Sequence, residues 1–220
     1  MTASTIWLWP GRAAYLGPSL RLNAHSTAVP CYAVGVDAPF DLTVGGVRRR
    51  VRGARIPART VHRIEAGAGR MLFDYRIART PTDPRIAAVL RDLLDDPAGA
   101  RGAAGCAAAA GLSTSRFLHL FGAQTGTSFR RYRLWARMLR AGRGIAAGGD
   151  LTRAAADAGF ASPSHFSDSF HALFGLTASA LLGADSRIVI RGERGAVTPR
   201  AGGPTQGKGP VTSPLGGSSP

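Results

Sequence analysis

Two short segments of this 220-residue chain carry polar side chains along one side and aromatic side chains along the other. Phe117 and Phe121 mark the first segment, and Phe166 and Phe170 repeat the pattern 49 residues later. On a helix, these aromatic residues would face a core and leave the opposite side in solvent. That opposite side can face the edges of DNA bases. Its residues are Ser115, Arg116, Leu118 and His119 in the first copy, and Ser164, His165, Ser167 and Asp168 in the second.

Each polar segment follows the same turn chemistry. Gly111 and Gly159 can adopt the left-handed backbone that ends a preceding helix, and Ser113 and Ser162 can cap the next one. Pro163 suits the first helical position. The repeat therefore predicts a helix, a tight turn and a second helix, twice over. In such a helix-turn-helix unit, the exposed N-terminal half of the second helix enters the major groove of DNA.

The segment between the two copies fits a rigid spacer. A helix from about Ser128 to Ala146 would span roughly 28 Å at about 1.5 Å per residue. Successive major grooves on one side of DNA are about 34 Å apart, so one chain could present two such helices to adjacent grooves. The spacer carries arginines with no acid between them, which are candidates for phosphate contacts: Arg130, Arg131, Arg133, Arg137 and Arg140.

The formal net charge is +15, and arginine supplies nearly all of it because Lys208 is the only lysine. A strongly basic chain favours a polyanionic partner. The excess is +8 in residues 1–82, +4 in 83–187 and +3 in 188–220. The charge therefore does not locate a DNA site, because the helix-turn-helix region is not its most basic part.

The first 78 or so residues contain short apolar runs between glycine and proline turns, which is typical of closely spaced strands in a small barrel or sandwich. The runs are Tyr15–Leu16, Leu20–Leu22, Tyr32–Val36, Phe40–Val44, Arg55–Ile56, Val61–Ile64 and Met71–Ile77. Asp83 and Pro84 then mark a helix start. Residues 188–220 are rich in glycine, proline and serine, which predicts a disordered tail.

Two cysteines, Cys31 and Cys106, lie far apart and have no histidine pair nearby, so we expect two small buried thiols rather than a zinc site or a disulfide. The apolar patch near the N-terminus has no basic region before it and no long apolar run after it. The sequence therefore predicts no signal peptide, no membrane span and a cytoplasmic location.

Residues 83–183 resemble the DNA-binding domain of the AraC/XylS family of bacterial regulators. The resemblance is carried by "AAAAGLSTSRFLHLFGAQTGTSFRRYRLWARM" and "LTRAAADAGFASPSHFSDSFHALFGLTASAL". It implies that the eight polar-side residues named above line two reading helices, that double-stranded DNA is the partner, and that no cofactor is needed. An activator of this family would also contact RNA polymerase.

Two departures from the family pattern bear on DNA binding. Asp168 stands where an arginine is common, and it could repel phosphate, accept from a cytosine amino group or make no base contact. The first helix of copy one, residues 101–110, contains Gly102 and Gly105 and lacks the usual leucines. Since glycine costs about 1 kcal/mol relative to alanine within a helix, we expect this first unit to be the weaker one.

The N-terminal segments "GPSLRLNAHSTAVPCYAVGV" and "ARIPARTVHRIEAG" are similar to the cupin-type sensor barrels that often precede this domain. The resemblance implies a barrel that binds a small-molecule effector or forms a homodimer, with a pocket near His25, Tyr32, Arg55 and His62. The sequence thus predicts an α+β protein: a cupin-like β-barrel in residues 1–80, an all-α domain with two helix-turn-helix units and a linker helix in 83–185, and the tail.

Three other functions stay open at this point. A cupin metalloenzyme would need about three clustered histidines and a carboxylate, whereas His25 and His62 each stand alone. A sequence-independent, architectural DNA-binding protein would account for the diffuse positive charge and for Asp168. A degraded regulator that binds DNA poorly would account for the glycines of the first unit.

Overall fold

The structure, a computed structural model, describes residues 4–20, 22–99, 101–182 and 186–192. In these ranges the strands are β1 (Ser4–Trp9), β2 (Arg12–Pro18), β3 (Cys31–Gly35), β4 (Phe40–Val44), β5 (Val47–Val51), β6 (Gly53–Ile56), β7 (His62–Glu65), β8 (Arg70–Arg76) and β9 (Ser186–Ile190). The helices are α1 (Pro84–Asp95), α2 (Ala103–Ala109), α3 (Thr114–Thr125), α4 (Phe129–Ala146), α5 (Leu151–Asp157), α6 (Pro163–Phe174) and α7 (Ala178–Leu181). The predicted α+β class is confirmed.

The strands form two sheets. The larger has the order β6-β3-β8-β2-β1-β9, and the smaller has the order β5-β4-β7. Neighbouring strands are antiparallel except β1 and β9, which are parallel. Because directly opposite residues project from the same face, pairs such as Tyr15 and Phe73 build one apolar face on the large sheet. Its other members include Ile6, Ala13, Cys31, Ala33 and Tyr75.

That apolar face has two coverings. Near β3, the small sheet covers it, and Ile64 of β7 lines a narrow cavity together with Cys31 and Phe73. Near β1 and β2, helices α4 and α6 cover it instead, and the ring edge of Phe174 in α6 meets Tyr75 with ring centroids 5.0 Å apart. The sheets and the helices therefore share one continuous hydrophobic core.

The helical half contains the predicted repeat. Gly111 and Gly159 have φ angles of 65° and 83°, as required by the turns before α3 and α6. Gly126 and Gly175 end those two helices with the same left-handed geometry, φ 72° and ψ 11°. Helix α4, capped by Ser128, connects the two units over 18 residues, as predicted for the linker.

Helix α2 forms in spite of the two glycines in its sequence. Gly102 is its N-cap, outside the helix, so only Gly105 lies within it. Cys106 and Ala107 are buried against the core, at 7% and 1% exposure. The helix is shorter than the predicted 101–110, and tertiary packing compensates for its weak intrinsic preference.

Several strands differ from the sequence expectations. Strands β1 and β5 were not expected, and Leu20 and Leu22 lie outside any strand. Strand β5 lacks the alternation of apolar and polar residues that indicates a strand, because its arginines face solvent. Arg48 and Arg50 form ion pairs with Asp41 there. Strand β9 shows that the predicted start of the tail at residue 188 is wrong, because Ser186–Ile190 completes the edge of the large sheet. Residues 193–220 of that tail lie outside the described residues.

Candidate nucleic-acid interface

Helix α3 presents its predicted polar side to solvent. Its N-cap, Ser113, accepts a hydrogen bond from the backbone N–H of Arg116 at 3.3 Å, which fixes where the helix begins. Phe117 and Phe121 are fully buried. The four predicted reading residues are exposed, and one of them is apolar with 43% of its surface in solvent. They are Ser115, Arg116, Leu118 and His119.

Helix α6 has the same construction. Ser162 accepts from the backbone N–H of His165 at 3.0 Å, and Pro163 takes the first helical position. Phe166 is buried and stacks on Phe170, with ring centroids 5.9 Å apart. The four predicted reading residues of this helix, Ser164, His165, Ser167 and Asp168, are all exposed.

The ring of His165 is held in one orientation. Its Nδ1 accepts a hydrogen bond from the backbone N–H of Ala161 at 3.4 Å, and its ring meets Phe160 edge-on with centroids 5.5 Å apart. A neutral imidazole that accepts at Nδ1 carries its proton at Nε2. His165 can therefore donate a hydrogen bond from Nε2 to an acceptor outside the protein.

A groove of about 590 Å³ runs between α4 and α6. It is bordered by His165 and Ser169 on α6 and by Arg59 on the turn between β6 and β7. Four of the predicted phosphate-binding arginines line it from α4, and no carboxylate of the described residues does so. These four are Arg130, Arg131, Arg133 and Arg137. We name this surface the arginine groove.

The arginines of α4 differ in their exposure and in their hydrogen-bond partners. Arg130 is exposed. Burial, together with the positive charge of Arg59, lowers the pKa of Arg131 below its ordinary value. Arg137 Nε donates to the carbonyl of Pro97 at 3.4 Å. Arg140 lies outside the groove, and its Nη1 donates to the carbonyl of Asp95 at 3.5 Å, so it contacts the C-terminal end of α1.

The four residues predicted to form an effector pocket fall into two places. His25 and His62 lie together, with ring centroids 4.5 Å apart and reciprocal backbone hydrogen bonds of 3.0 and 2.9 Å. Burial, with a smaller contribution from the charge of His25, lowers the pKa of His62, although the hydrogen bond of its ring with the Thr60 carbonyl opposes this. Tyr32 and Arg55 are paired across β3 and β6, and both are exposed.

The contacts between the sheets and the helices were not foreseen from sequence. The indole N–H of Trp135 in α4 donates to the carbonyl of Trp9 at the end of β1, at 3.2 Å. Gln124 Oε1 at the end of α3 accepts from the backbone N–H groups of Thr82 and Asp83, at 2.9 and 3.1 Å. Both helix-turn-helix units and their linker are thus fixed to elements that precede α1 in the chain.

An apolar cavity of about 60 Å³ lies at this junction. The large sheet lines it with residues such as Ile6 and Tyr15, and the helices line it with Trp135, Met138 and Phe170. An engineered apolar cavity of about 150 Å³ accepts benzene, so this cavity admits only a smaller apolar group unless its walls move.

Cys31 and Cys106 are buried free thiols, as predicted. Burial raises the pKa of Cys31 to about 12 and also raises that of Cys106, so both are poor nucleophiles. Among the described residues, no group of three or more histidine, cysteine, aspartate or glutamate side chains is arranged to bind a metal ion. Nor does any helix in that part of the chain combine the length and apolar character needed to cross a membrane.

Comparisons with known proteins found different matches for the helical half and for the N-terminal strands. A family model described as a helix-turn-helix domain, of the AraC type, matches residues 106–184. A search of curated proteins found no match. The solved structures that are similar include a Cupin 2 conserved barrel domain protein from Leptotrichia buccalis, at 19% identity and a TM-score of 0.31 over 34% of this chain and 41% of that one.

A cupin superfamily protein from Desulfitobacterium hafniense is also similar, at 13% identity and a TM-score of 0.32 over 35% of this chain and 78% of the other. Likenesses this distant carry no argument about activity. The helix-turn-helix match coincides with the two capped units, the left-handed glycine turns and the linker helix described above. Residues 106–184 therefore form a helix-turn-helix domain of the AraC type, which indicates a DNA-binding transcription regulator.

Proposed function

We propose that this regulator reads two successive major-groove segments of one DNA site, with α3 in one groove and α6 in the next. The observation that carries the proposal is the shared construction of α3 and α6, each of which exposes four predicted reading residues. Each begins at a serine cap, follows a left-handed glycine turn and ends at a left-handed glycine. A surface helix of a core-forming unit needs only its apolar side for folding, so the matched polar sides point to a shared ligand.

The linker helix supports this spacing. Its 18 residues span about 27 Å at about 1.5 Å per residue. Trp135 and Leu139 are buried along it, at 1% and 0% exposure, so it is anchored rather than free to rotate. The reading helices precede and follow this linker in the chain, and its length is comparable with the roughly 34 Å between successive major grooves.

The exposed residues suggest separate roles on DNA. Arg116 can donate in bidentate fashion to guanine, and Leu118 can contact a thymine methyl group. The Nε2–H of His165 is a single donor at the start of α6. Asp168 is exposed next to this donor and would lie close to phosphates, so we expect it to weaken binding unless it accepts from a cytosine amino group.

We further propose that the arginine groove contacts the DNA backbone beside the α6 site. Arg130, Arg131, Arg133 and Arg137 would supply phosphate contacts there. Such contacts determine position and affinity and carry no sequence information. Arg140 is the weakest candidate of the predicted five, because it contacts the carbonyl of Asp95.

An effector would act through the junction between sheet and helices. A ligand larger than the 60 Å³ cavity fits only if α4 and α6 move away from the large sheet. It would favour that displaced arrangement by its differential affinity, and so change how the reading helices are presented. His25 and His62 stay candidates for a second effector contact. Homodimer formation and, for an activator, contact with RNA polymerase stay predictions.

The test is selection of bound duplexes from a random-sequence library by the full chain, followed by footprinting. We expect an enriched site of about two helical turns. The paired substitutions Ser115→Ala with Arg116→Ala should relax preference in one half of that site. Ser164→Ala with His165→Ala should relax the other half. If only the second pair has an effect, the first unit does not read sequence.

Uniform, salt-sensitive coating without an enriched sequence would contradict the proposal. It would instead favour the architectural alternative, which the net charge of +15 and the exposed Asp168 support.

A further inference from the structure

The turn between β6 and β7 extends into the arginine groove. Arg59 at this turn has φ 60°, and it is the one non-glycine residue with positive φ in the described part of the chain. Its backbone N–H donates to the carbonyl of Thr27 at 2.7 Å, and Thr60 N–H donates to the carbonyl of Pro57 at 3.4 Å. A left-handed arginine is strained, and these hydrogen bonds maintain it.

The connection between β2 and β3, which holds Arg59 through Thr27, is attached to the end of α6. The N–H of Ala28, next to Thr27, is shared between the carbonyls of Ala172 and Leu173, at 3.2 and 3.1 Å. Gly175, the C-cap of α6, lies directly under the ring of His25, and a β-carbon there would collide with that ring. The position of Arg59 is therefore fixed relative to α6, although the two belong to different domains.

Arg59 and Arg131 converge on one groove without a counter-charge. Both line it together with His165 and Ser169, and among the described residues no aspartate or glutamate lines it. Their charges interact, since Arg59 contributes to the lowered pKa of Arg131. Two guanidinium groups that line one groove can both donate to a single bound anion.

We propose that the sensor domain itself contacts the DNA backbone, with Arg59 and Arg131 binding one phosphate beside the α6 site. The inference rests on the proposed function, and it adds a contact from outside the helix-turn-helix domain. A change in the strand region that moves the β6–β7 turn would then alter DNA affinity directly, without any motion of the reading helices.

The test measures how the dissociation constant of the full chain depends on salt, between about 50 and 200 mM. The probes are a selected duplex and a random-sequence duplex of about three helical turns, roughly 30 base pairs. The logarithm of the association constant falls as the logarithm of the salt concentration rises, and each lost phosphate contact makes this slope about 0.9 less steep. We expect that loss for Arg59→Gln and for Arg131→Gln, on both duplexes and with the same preferred sequence.

Three further variants sharpen the result. Arg49→Gln removes the same charge from an exposed position of the same domain, outside the groove, and should leave the slope unchanged. The double variant of Arg59 and Arg131 should lose less than the sum of the single losses, because one phosphate is shared. Thermal unfolding of every variant identifies any that fails to fold, and Arg59→Lys, which keeps the charge, should retain most of the slope.

A wild-type slope for Arg59→Gln, alongside a reduced slope for Arg131→Gln, overturns the inference. So does a wild-type slope for Arg59→Gln combined with Arg59-dependent binding of inorganic pyrophosphate, which would assign the groove to a free anion. If selection yields no site but Arg59→Gln still lowers the slope, the sequence-reading proposal fails and the phosphate contact stands. If a site is found and the slope does not respond, only the phosphate contact fails.

Discussion

The indole N–H of Trp135 donates a hydrogen bond to the carbonyl of Trp9, 3.2 Å away, and so joins the middle of the linker helix to the end of strand β1. Phe174 of α6 packs edge-on against Trp135 with ring centroids 6.2 Å apart. Through these contacts the N-terminal strands, the linker helix and α6 meet at one point.

Trp135→Phe should lower the free energy of unfolding by about 1–2 kcal/mol, because it removes one hydrogen bond and part of a buried side chain. Denaturant unfolding should still show one transition, with tryptophan fluorescence and far-ultraviolet circular dichroism coinciding, since strands and helices share a core. Trp7→Phe is the matched control, because Trp7 is only half-buried. Two separate transitions in the wild-type chain would contradict the shared core.

Substitution by alanine should have different effects at Gly142 and at Gly122. Gly122 in α3 has room for a β-carbon, and Gly122→Ala should stabilise by about 0.5–1 kcal/mol through helix preference. A β-carbon at Gly142 would collide with Leu8 Cδ1 on β1, so Gly142→Ala should leave the free energy of unfolding equal or lower. Shortening the neighbour in Leu8→Ala should remove the collision, and a double-mutant cycle would then show coupling between the two sites.

Ser162 and Ser164 separate folding from recognition, although they lie two residues apart. Ser162→Ala should cost about 1 kcal/mol, because the N-cap bond to the His165 N–H is lost. Ser164→Ala should leave the unfolding midpoint unchanged and alter the preferred DNA sequence, since its side chain is exposed. Circular dichroism melts and duplex selection would measure the two effects. Equal loss of stability in both variants would argue against this division.

Asp168→Asn should tighten binding to random-sequence DNA by about two- to fivefold at low salt, because an exposed like charge near phosphate is worth at most about 1 kcal/mol. The gain should shrink as salt screens the phosphates. Asp92→Asn, which removes an exposed carboxylate from α1, is the control. Weaker binding of the selected duplex by Asp168→Asn would instead indicate that the carboxylate accepts from a cytosine.

His62 should make stability fall at mildly acidic pH. Its pKa lies below its ordinary value of 6.5 in the folded chain, mainly through burial, so the unfolded chain takes up the proton first. Above about pH 7 both states are neutral at this site. As the pH falls through 6.5 towards the folded pKa, the free energy of unfolding should decrease. In His62→Gln, the free energy of unfolding should vary less with pH over that interval. If its pH dependence equals that of the wild type, another group causes the effect.

The local chemistry of the helical half was readable from sequence. Gly111 and Gly159 adopt the left-handed turns that were predicted, Ser113 and Ser162 cap the predicted helices, and the aromatic side of each helix is buried. These features depend on residues within a few positions of one another. The chain must satisfy them wherever the helices finally pack, so their pattern is visible without the fold.

The weaker predictions concerned elements whose burial depends on distant partners. Strand β9 forms because Ile188 meets Ile6 across a parallel pairing, although more than 180 residues separate them. Strand β5 has no apolar alternation because its arginines pair with Asp41 in solvent. Neither pairing leaves a periodic signal in its own segment, so composition alone suggested a tail and a loop.

The candidate interface divides in the same way. The sequence by itself determined the two exposed polar faces, their caps and the arginines of the linker, because helix periodicity places such residues on one side. The tertiary structure decided that Arg59 lines the arginine groove and that Arg140 lies outside it. It also decided that His25 and His62 are in contact, whereas Tyr32 and Arg55 are exposed and paired elsewhere on the sheet. These positions depend on which surfaces pack against each other and bury their apolar area, and that packing is set by contacts between segments that are distant in the chain.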